Sequence, residues 1–232
     1  MRLDKFLADM GVGTRSEIKK EIKAGRVAVD GTQIKDPGFK VPSDAAVTYC
    51  GIPVAYEEFE YFMLNKPAGV ISASEDSREE TVIDLIDEQK RKDLFPVGRL
   101  DRDTEGLLLI TNDGELAHRL LSPKHHVDKT YYAKLAEIAD DSDVTLFREG
   151  LILTDGLKCL PAELEILDPP DEVLITIREG KFHQIKRMFQ SVGNEVLYLK
   201  RLSMGPLELD PDLPSGQYRR LTGEEIASLK HI

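Results

Sequence analysis

At 232 residues the chain has room for one medium domain, or one domain and a small module, and 41% hydrophobic with 31% charged residues suits a globular protein with a sizeable core. No apolar run approaches the roughly 20 residues of a membrane-spanning helix, and the charged, interrupted start MRLDKFLADM is not a signal peptide. Two distant cysteines, Cys50 and Cys159, in no metal-ligand spacing, point to a reducing cytoplasm and against a disulfide framework.

In chain order, Leu3, Phe6, Leu7 and Met10 form one apolar helical stripe, which Gly11 and Gly13 end. Thr14-Arg15-Ser16-Glu17 is a capping box that opens a second helix. With Arg15 at zero and about 100° per residue, Arg26, Lys19 and Lys23 fall at about 20°, 40° and 80°, beside the apolar Ile18 and Ile22 at about 300° and 340°. Glu17 and Glu21 lie behind, at about 200° and 240°. A solvated helix face explains such a stripe, but the separation of signs gives phosphate contact equal weight. Val27-Ala-Val29 with Asp30-Gly31 reads as a strand and hairpin turn, and Ala46 to Cys50 as a further strand. Glu57 to Glu60 reads as a solvated linker, so the expected division is a small module over 1–59 and a larger domain over 60–232.

In the larger domain YFMLNKPAGVIS reads as a strand, a break at Pro67 to Gly69, and strand again; TVIDLIDEQ follows as a helix. Leu107 to Thr111 is a short buried strand ending in the turn signal Asn112-Asp113-Gly114. Lys129 to Leu135 and the alternating Val173 to Arg178 are strands, the latter ending in a turn at Glu179-Gly180-Lys181. In HQIKRMFQSVG, the residues Ile185, Met188, Phe189 and Val192 share one helical face that Gly193 ends, leaving His183, Lys186, Arg187 and Gln190 on other faces. Thr222-Gly-Glu-Glu225 opens a last short helix. Many strands with helices inserted irregularly predict an α+β fold with a largely antiparallel sheet.

The net charge of −11 argues superficially against a nucleic-acid partner, but distribution outweighs the sum. Glu137 to Glu172 holds eleven acids against Arg148 and Lys158, whereas Arg178 to Arg201 holds six bases against Glu179 and Glu195. A polyanion can bind the basic side. There is no Walker loop, no dinucleotide-binding glycine pattern after a strand, no HExxH and no GxSxG elbow, and the five histidines show no metal spacing.

The stretch GRLDRDTEGLLLITNDG sets Arg99, Asp101, Arg102, Asp103 and Glu105 directly before a strand that must go inside. A surface loop with internal ion pairs is the ordinary reading. Against it, Phe95-Pro96-Val97 and the buried strand flank the loop, and Thr104 and Gly106 constrain it; a carboxylate enclosed there needs a cation, since unpaired burial costs several kcal/mol. A carboxylate held by a cation in a half-buried cleft is a tool for breaking a glycosidic bond. A glycoside hydrolase would use Asp101 and Asp103 as its pair, although the absence of tryptophan leaves few sugar-stacking surfaces. A nucleoside-modifying enzyme needs the carboxylate, an aromatic ring for the base and cations for phosphates; Tyr131, Lys186 and the N-terminal stripe are candidates. Local spacing does not choose between Asp101 and Asp103.

GRLDRDTEGLLLITNDG resembles the signature of the pseudouridine synthases, in the branch named for the bacterial small-subunit rRNA enzyme. YFMLNKPAG, SPKHHVDKTYYAKL, EGKFHQIKRMFQSVGNEV and QYRRLTGEEI follow in the family's order. MRLDKFLADMG with TRSEIKKEIKAGRVAVDG resembles the S4 RNA-binding module. The resemblance implies a small S4-like module and a catalytic domain whose mixed, mainly antiparallel sheet is flanked by helices and crossed by a cleft. It implies that Asp101 is the catalytic aspartate, that Tyr131 packs against the target base, that Lys186 pairs with the aspartate where many relatives carry arginine, and that Arg99 helps hold the flipped nucleotide. Arg2, Lys5, Arg15, Lys19, Lys20 and Arg26 become candidate RNA contacts. The implied reaction isomerises a uridine of 16S ribosomal RNA and needs neither cofactor nor metal. The implied partner is ribosomal RNA or a ribosomal-subunit assembly intermediate, met by a cytoplasmic monomer without a membrane. Action on 23S rRNA, or a non-catalytic RNA-binding ribosome-assembly role, are the alternatives.

Overall fold

Tyr61, Phe62, Met63, Leu64, Asn65 and Lys66 are buried without interruption, so this strand is covered on both faces. That is why its sequence shows no polar alternation. The computed structural model describes residues 1–232 and divides into two compact units, Met1–Glu60 with Asp87–Leu94, and Tyr61–Ile86 with Phe95–Ile232.

In the first unit, α1 (Leu3–Asp9) and α2 (Arg15–Lys23) lie with a four-stranded sheet of β1 (Val27–Val29), β2 (Thr32–Gln33), β3 (Val47–Tyr49) and β4 (Ile52–Pro53), in the order β2-β1-β3-β4. The expected stripe of Leu3, Phe6, Leu7 and Met10 joins Ile18, Ile22, Val27, Val29, Val41 and Val47 in one small core. The Thr14 capping box is formed in full, with Glu17 accepting from the Thr14 amide at 2.8 Å. Two expectations change. Arg26 lies outside α2, because Ala24 caps the helix and Gly25 turns the chain at φ +76°. Glu60 is not solvated linker: it is 1% exposed and accepts from the amides of Lys90 and Arg91 at 2.9 and 2.6 Å. The sequence does not mark Asp87–Leu94 as part of this unit; Arg91, itself buried, pairs with Asp93 at 2.6 Å and with Asp9 at 3.6 Å.

The second unit is built on a nine-stranded mixed sheet. Its strands are β5 (Tyr61–Lys66), β6 (Phe95–Pro96), β7 (Glu105–Thr111), β8 (Lys129–Leu135), β9 (Glu163–Ile166), β10 (Glu172–Ile177), β11 (Val196–Met204), β12 (Leu207–Glu208) and β13 (Tyr218–Arg220). The main path runs β13-β5-β7-β11-β8-β10-β9, with β6 on β7 and β12 on β11. Every pairing is antiparallel except β7 with β11, which places Lys200 opposite Glu105 and Arg201 opposite Gly106. The helices are α3 (Gly114–Leu121), α4 (Asp141–Glu149), α5 (Gln184–Ser191) and α6 (Gly223–Lys230). A core of Tyr61, Met63, Leu107, Leu109, Leu116, Leu120 and Leu229 joins β5 and β7 to α3 and α6.

Three local readings differ from the sequence expectation. TVIDLIDEQ forms successive turns, not a helix: Val82 N donates to Ile71 O, Ile86 N to Ile83 O, and Asp84 folds back to accept from Thr81. The strand resumed after Gly69 shrinks to one bridge, Ile71 with Thr81. Asn112-Asp113-Gly114 is a helix start, with Asp113 accepting from the Leu116 amide at 3.0 Å and from the Tyr61 hydroxyl at 2.8 Å.

Candidate active site

The charged loop before β7 is held by its backbone. Lys66, with no exposed surface, donates to the carbonyls of Pro67 at 2.9 Å, Arg102 at 3.3 Å and Thr104 at 2.9 Å. Gly69 N donates to Arg102 O at 2.8 Å and Arg102 Nε returns a bond to Gly69 O at 3.0 Å. The Ser72 hydroxyl donates to Leu100 O at 2.9 Å and accepts from Leu100 N at 3.1 Å. Thr104 N closes a turn onto Asp101 O at 3.1 Å. At the loop's exit Gly106 sits at φ +99°, where a Cβ would stand 2.2 Å from Arg201 O. Leu100 and Thr104 anchor inward while Arg99, Arg102 and Asp103 stay exposed and Asp101 half-buried. A strand that goes inside can therefore follow a polar loop, because the backbone is satisfied internally and only side chains reach the solvent.

Asp101, Arg99, Tyr131 and Lys186 line one cleft, together with His183 and Leu199. The cleft is open to solvent, and the room in it for water-sized groups is about 80 Å³. Tyr131 comes from β8, where it lies between Arg201 of β11 and Ile175 of β10, and is 7% exposed. Lys186 comes from α5, whose buried face of Ile185, Met188 and Phe189 is fixed in part by the Phe189 ring 4.8 Å from Phe147. That face turns Lys186 towards the loop.

The Asp101 side chain is 26% exposed, with His183 Nε2 at 3.6 Å and Lys186 Nζ at 3.8 Å. The shorter bonds of Lys186 go to Asp103, at 2.6 and 2.7 Å, so the ammonium bridges two carboxylates of the loop. This hydrogen bond holds the Asp103 carboxyl below the usual aspartate range, although Asp103 is largely solvated. Arg99 forms no ion pair and leaves its guanidinium available to an anion.

Three residues of the site carried no assignment from the sequence. Lys66 is one; its signal is a single lysine ending a strand that opens on four apolar residues, and burial pushes its ammonium down to about 8. Gln184 is another: it is 4% exposed, accepts from Lys181 N at 2.9 Å and donates to Glu179 at 2.8 Å, locking the turn before α5. His183, at φ +47°, supplies the second nitrogen beside Asp101.

The N-terminal basic residues separate into two sets. Arg2 bonds Asp4 at 3.0 Å, Lys5 bonds Asp9 at 2.8 Å and Arg26 bonds Glu21 at 2.7 Å. Arg15, Lys19, Lys20 and Lys23 are exposed on α2 with no carboxylate partner.

The chain is similar to known proteins over almost its whole length. A family model described as RNA pseudouridylate synthase matches residues 60–191, and an S4 domain model matches residues 1–47. The Bacillus subtilis protein named uncharacterized RNA pseudouridine synthase YtzG is 53% identical over 231 residues, covering 97% of both chains. Ribosomal small subunit pseudouridine synthase A of Escherichia coli is 43% identical over 231 residues, covering 99% of this chain and all of that one. A solved structure described as a crystal structure of pseudouridylate synthase matches with a TM-score of 0.70 and 39% identity, over 99% of each chain. The chain belongs to the RNA pseudouridylate synthase family and carries an S4 domain at its N-terminus.

Proposed function

We propose that this enzyme converts a uridine of 16S ribosomal RNA to pseudouridine, with Asp101 as the reacting carboxylate. The observation that carries the reading is the convergence on one cleft of a half-buried aspartate, a buried tyrosine ring and two cations from three separate parts of the chain. Small-subunit rRNA is favoured by the relatives named ribosomal small subunit pseudouridine synthase A, which match the whole chain at 43–45% identity.

A uridine in folded RNA hides its glycosidic bond in the stack, so the nucleotide must be extruded for a side chain to reach it. Arg99 holds a phosphate of the extruded nucleotide, and the Tyr131 ring, with Leu199 and Ile185, walls the uracil. Entry of the base expels water, which strengthens the interaction of the Asp101 charge with Lys186. Asp101 then promotes cleavage of the N1–C1′ bond. The uracil stays enclosed, turns, and bonds C1′ through C5. C5 loses one proton and N1 gains one, so the product is an isomer and no second substrate is consumed. The S4 domain binds structured RNA through the unpaired cations of α2, and the substrate is the rRNA itself, free or in an assembling subunit, met by a cytoplasmic monomer.

The test is to map pseudouridines in both ribosomal RNAs of a strain lacking the gene, complemented with the wild type or with Asp101→Asn. One 16S site should vanish, return with the wild type and stay absent with the variant, while the purified variant still binds 16S transcript. A lost site in 23S rRNA would move the target to the large subunit. Restoration by Asp101→Asn would overturn the catalytic assignment.

A further inference from the structure

Phe182 is 75% exposed, the most solvent-open of the chain's large apolar side chains, and in the chain it stands between Lys181 and His183, which line the cleft. Its ring is stacked on the His183 imidazole, with centroids 3.8 Å apart and planes 19° from parallel. One face of the phenyl ring is thus covered by a flat partner and the other is open. The imidazole in turn has Nε2 at 3.6 Å from Asp101. We propose that Phe182, backed by His183, is a stacking site for the unpaired base that neighbours the target nucleotide in the RNA. The proposal rests on the reading of the cleft as a pseudouridine-forming site and adds to it a second, adjacent base subsite.

The pair is built to stay in place. His183 holds a left-handed backbone at φ +47°, which costs free energy for a non-glycine residue and persists only where surroundings impose it. Here Gln184 N donates to Lys181 O at 3.1 Å, Arg187 N to His183 O at 3.0 Å and Arg187 Nη1 to Phe182 O at 3.2 Å. The Gln184 side chain ties Lys181 to Glu179 across the same turn. An exposed phenylalanine fixed in this way has already lost the freedom that binding would otherwise remove.

A nucleic-acid base is the occupant that fits. Extrusion of one nucleotide unstacks its neighbours, and an unstacked base has an apolar face that aromatic rings accept whatever its sequence. Tyr131, buried within the cleft, is placed for the target, whereas Phe182 lies outside it. The surrounding charge suits a backbone on either side: Arg99 in the cleft and Lys158, whose carbonyl accepts from Lys181 Nζ, have no carboxylate partner.

The experiment uses the full-length protein and a short single-stranded oligouridylate with 2-aminopurine beside the central uridine; the chain has no tryptophan to obscure the signal. Wild type and Phe182→Tyr should quench the probe and bind it equally well. Phe182→Ala and Phe182→Leu should leave it unquenched and bind about 5- to 100-fold more weakly, with unchanged melting temperatures because the side chain is exposed. Quenching by Phe182→Ala equal to wild type would overturn the proposal. So would wild-type binding by Phe182→Leu, which would mark a generic apolar contact of the kind a protein partner uses. Pseudouridine formed on 16S rRNA is measured in parallel. If the wild type forms none while the quenching pattern holds, the functional reading fails and the stacking subsite stands; if the wild type is active and Phe182→Ala quenches normally, only the subsite fails.

Discussion

The buried ammonium of Lys66 donates at 2.9 Å to the carbonyl of Thr104, and so fastens the exit of the Asp101 loop to the strand beside it. The same nitrogen reaches Pro67 O and Arg102 O. One residue from a strand end thereby sets the position of a carboxylate that belongs to a different segment. Loss of this tie should cost activity more than it costs folding, because a displacement of about 1 Å at a reacting group is worth roughly 100-fold in rate.

Lys66→Met is the direct test. Its turnover should fall about 100-fold while the far-ultraviolet spectrum is retained. The pH dependence carries its own signature. Burial lowers the Lys66 ammonium from 10.5 to about 8, so between those values the unfolded chain binds more protons than the folded one. Stability from this group therefore rises with pH from about 8 to 10.5, by an amount on the order of 3 kcal/mol. Burial pushes Lys129 down to about 8 as well, so urea denaturation across that window should show the rise in wild type and a distinctly smaller one in the variant; parallel profiles would remove Lys66 as a cause.

Asp101 and Asp103 share Lys186 but should not share a role. Asp101→Asn should lower pseudouridine formation by about 1,000-fold or more, as removal of a reacting group does. Asp103 has 72% of its side chain exposed, and its ion pair is screened by water. Asp103→Asn should keep activity within about threefold, since Lys186 is then left to Asp101 alone. Single-turnover assays on 16S transcript decide the matter, and equal losses in the two variants would favour a two-carboxylate mechanism.

Gly106→Ala should be strongly destabilising. The new methyl carbon would lie 2.2 Å from Arg201 O and 2.8 Å from Arg201 N at φ +99°, so the only parallel strand pair must separate. A loss of about 3 kcal/mol or more is expected from thermal or urea unfolding. A melting temperature near that of wild type would mean that β7 and β11 can part without cost.

The α2 stripe should read as salt dependence. Replacing Lys19, Lys20 and Lys23 by glutamine should lower the slope of log affinity against log salt by about two to three, at roughly 0.7 per phosphate contact on single strands and roughly 0.9 on a duplex. Arg2, Lys5 and Arg26 already hold carboxylates, so their replacement should change the slope by less. Binding isotherms of 16S transcript over a salt series separate the two sets.

The elements legible in the sequence were those whose reason is local. The α1 stripe, the Thr14 and Thr222 capping boxes, the strands at 107–111 and 129–135 and the apolar face of α5 each depend on spacing within one element, and each is present. Where hydrogen bonds go to distant partners, local pattern failed. TVIDLIDEQ has helical spacing, yet its backbone is engaged by Ile71, and Glu60 reads as solvated because the amides of Lys90 and Arg91 that bury it lie some thirty residues away.

The same division runs through the site. The sequence alone determined that a carboxylate-rich loop precedes a buried strand, that a basic helix face follows far downstream, and that both match one family's order of motifs. Only the tertiary structure decided that Lys186 spans Asp101 and Asp103, that His183 stands beside Asp101, that Lys66 holds the loop and that Arg26 is tied to Glu21. The physical reason is that which charges meet depends on strand order and on a parallel pairing between segments almost a hundred residues apart, and neither leaves a periodic trace in the chain.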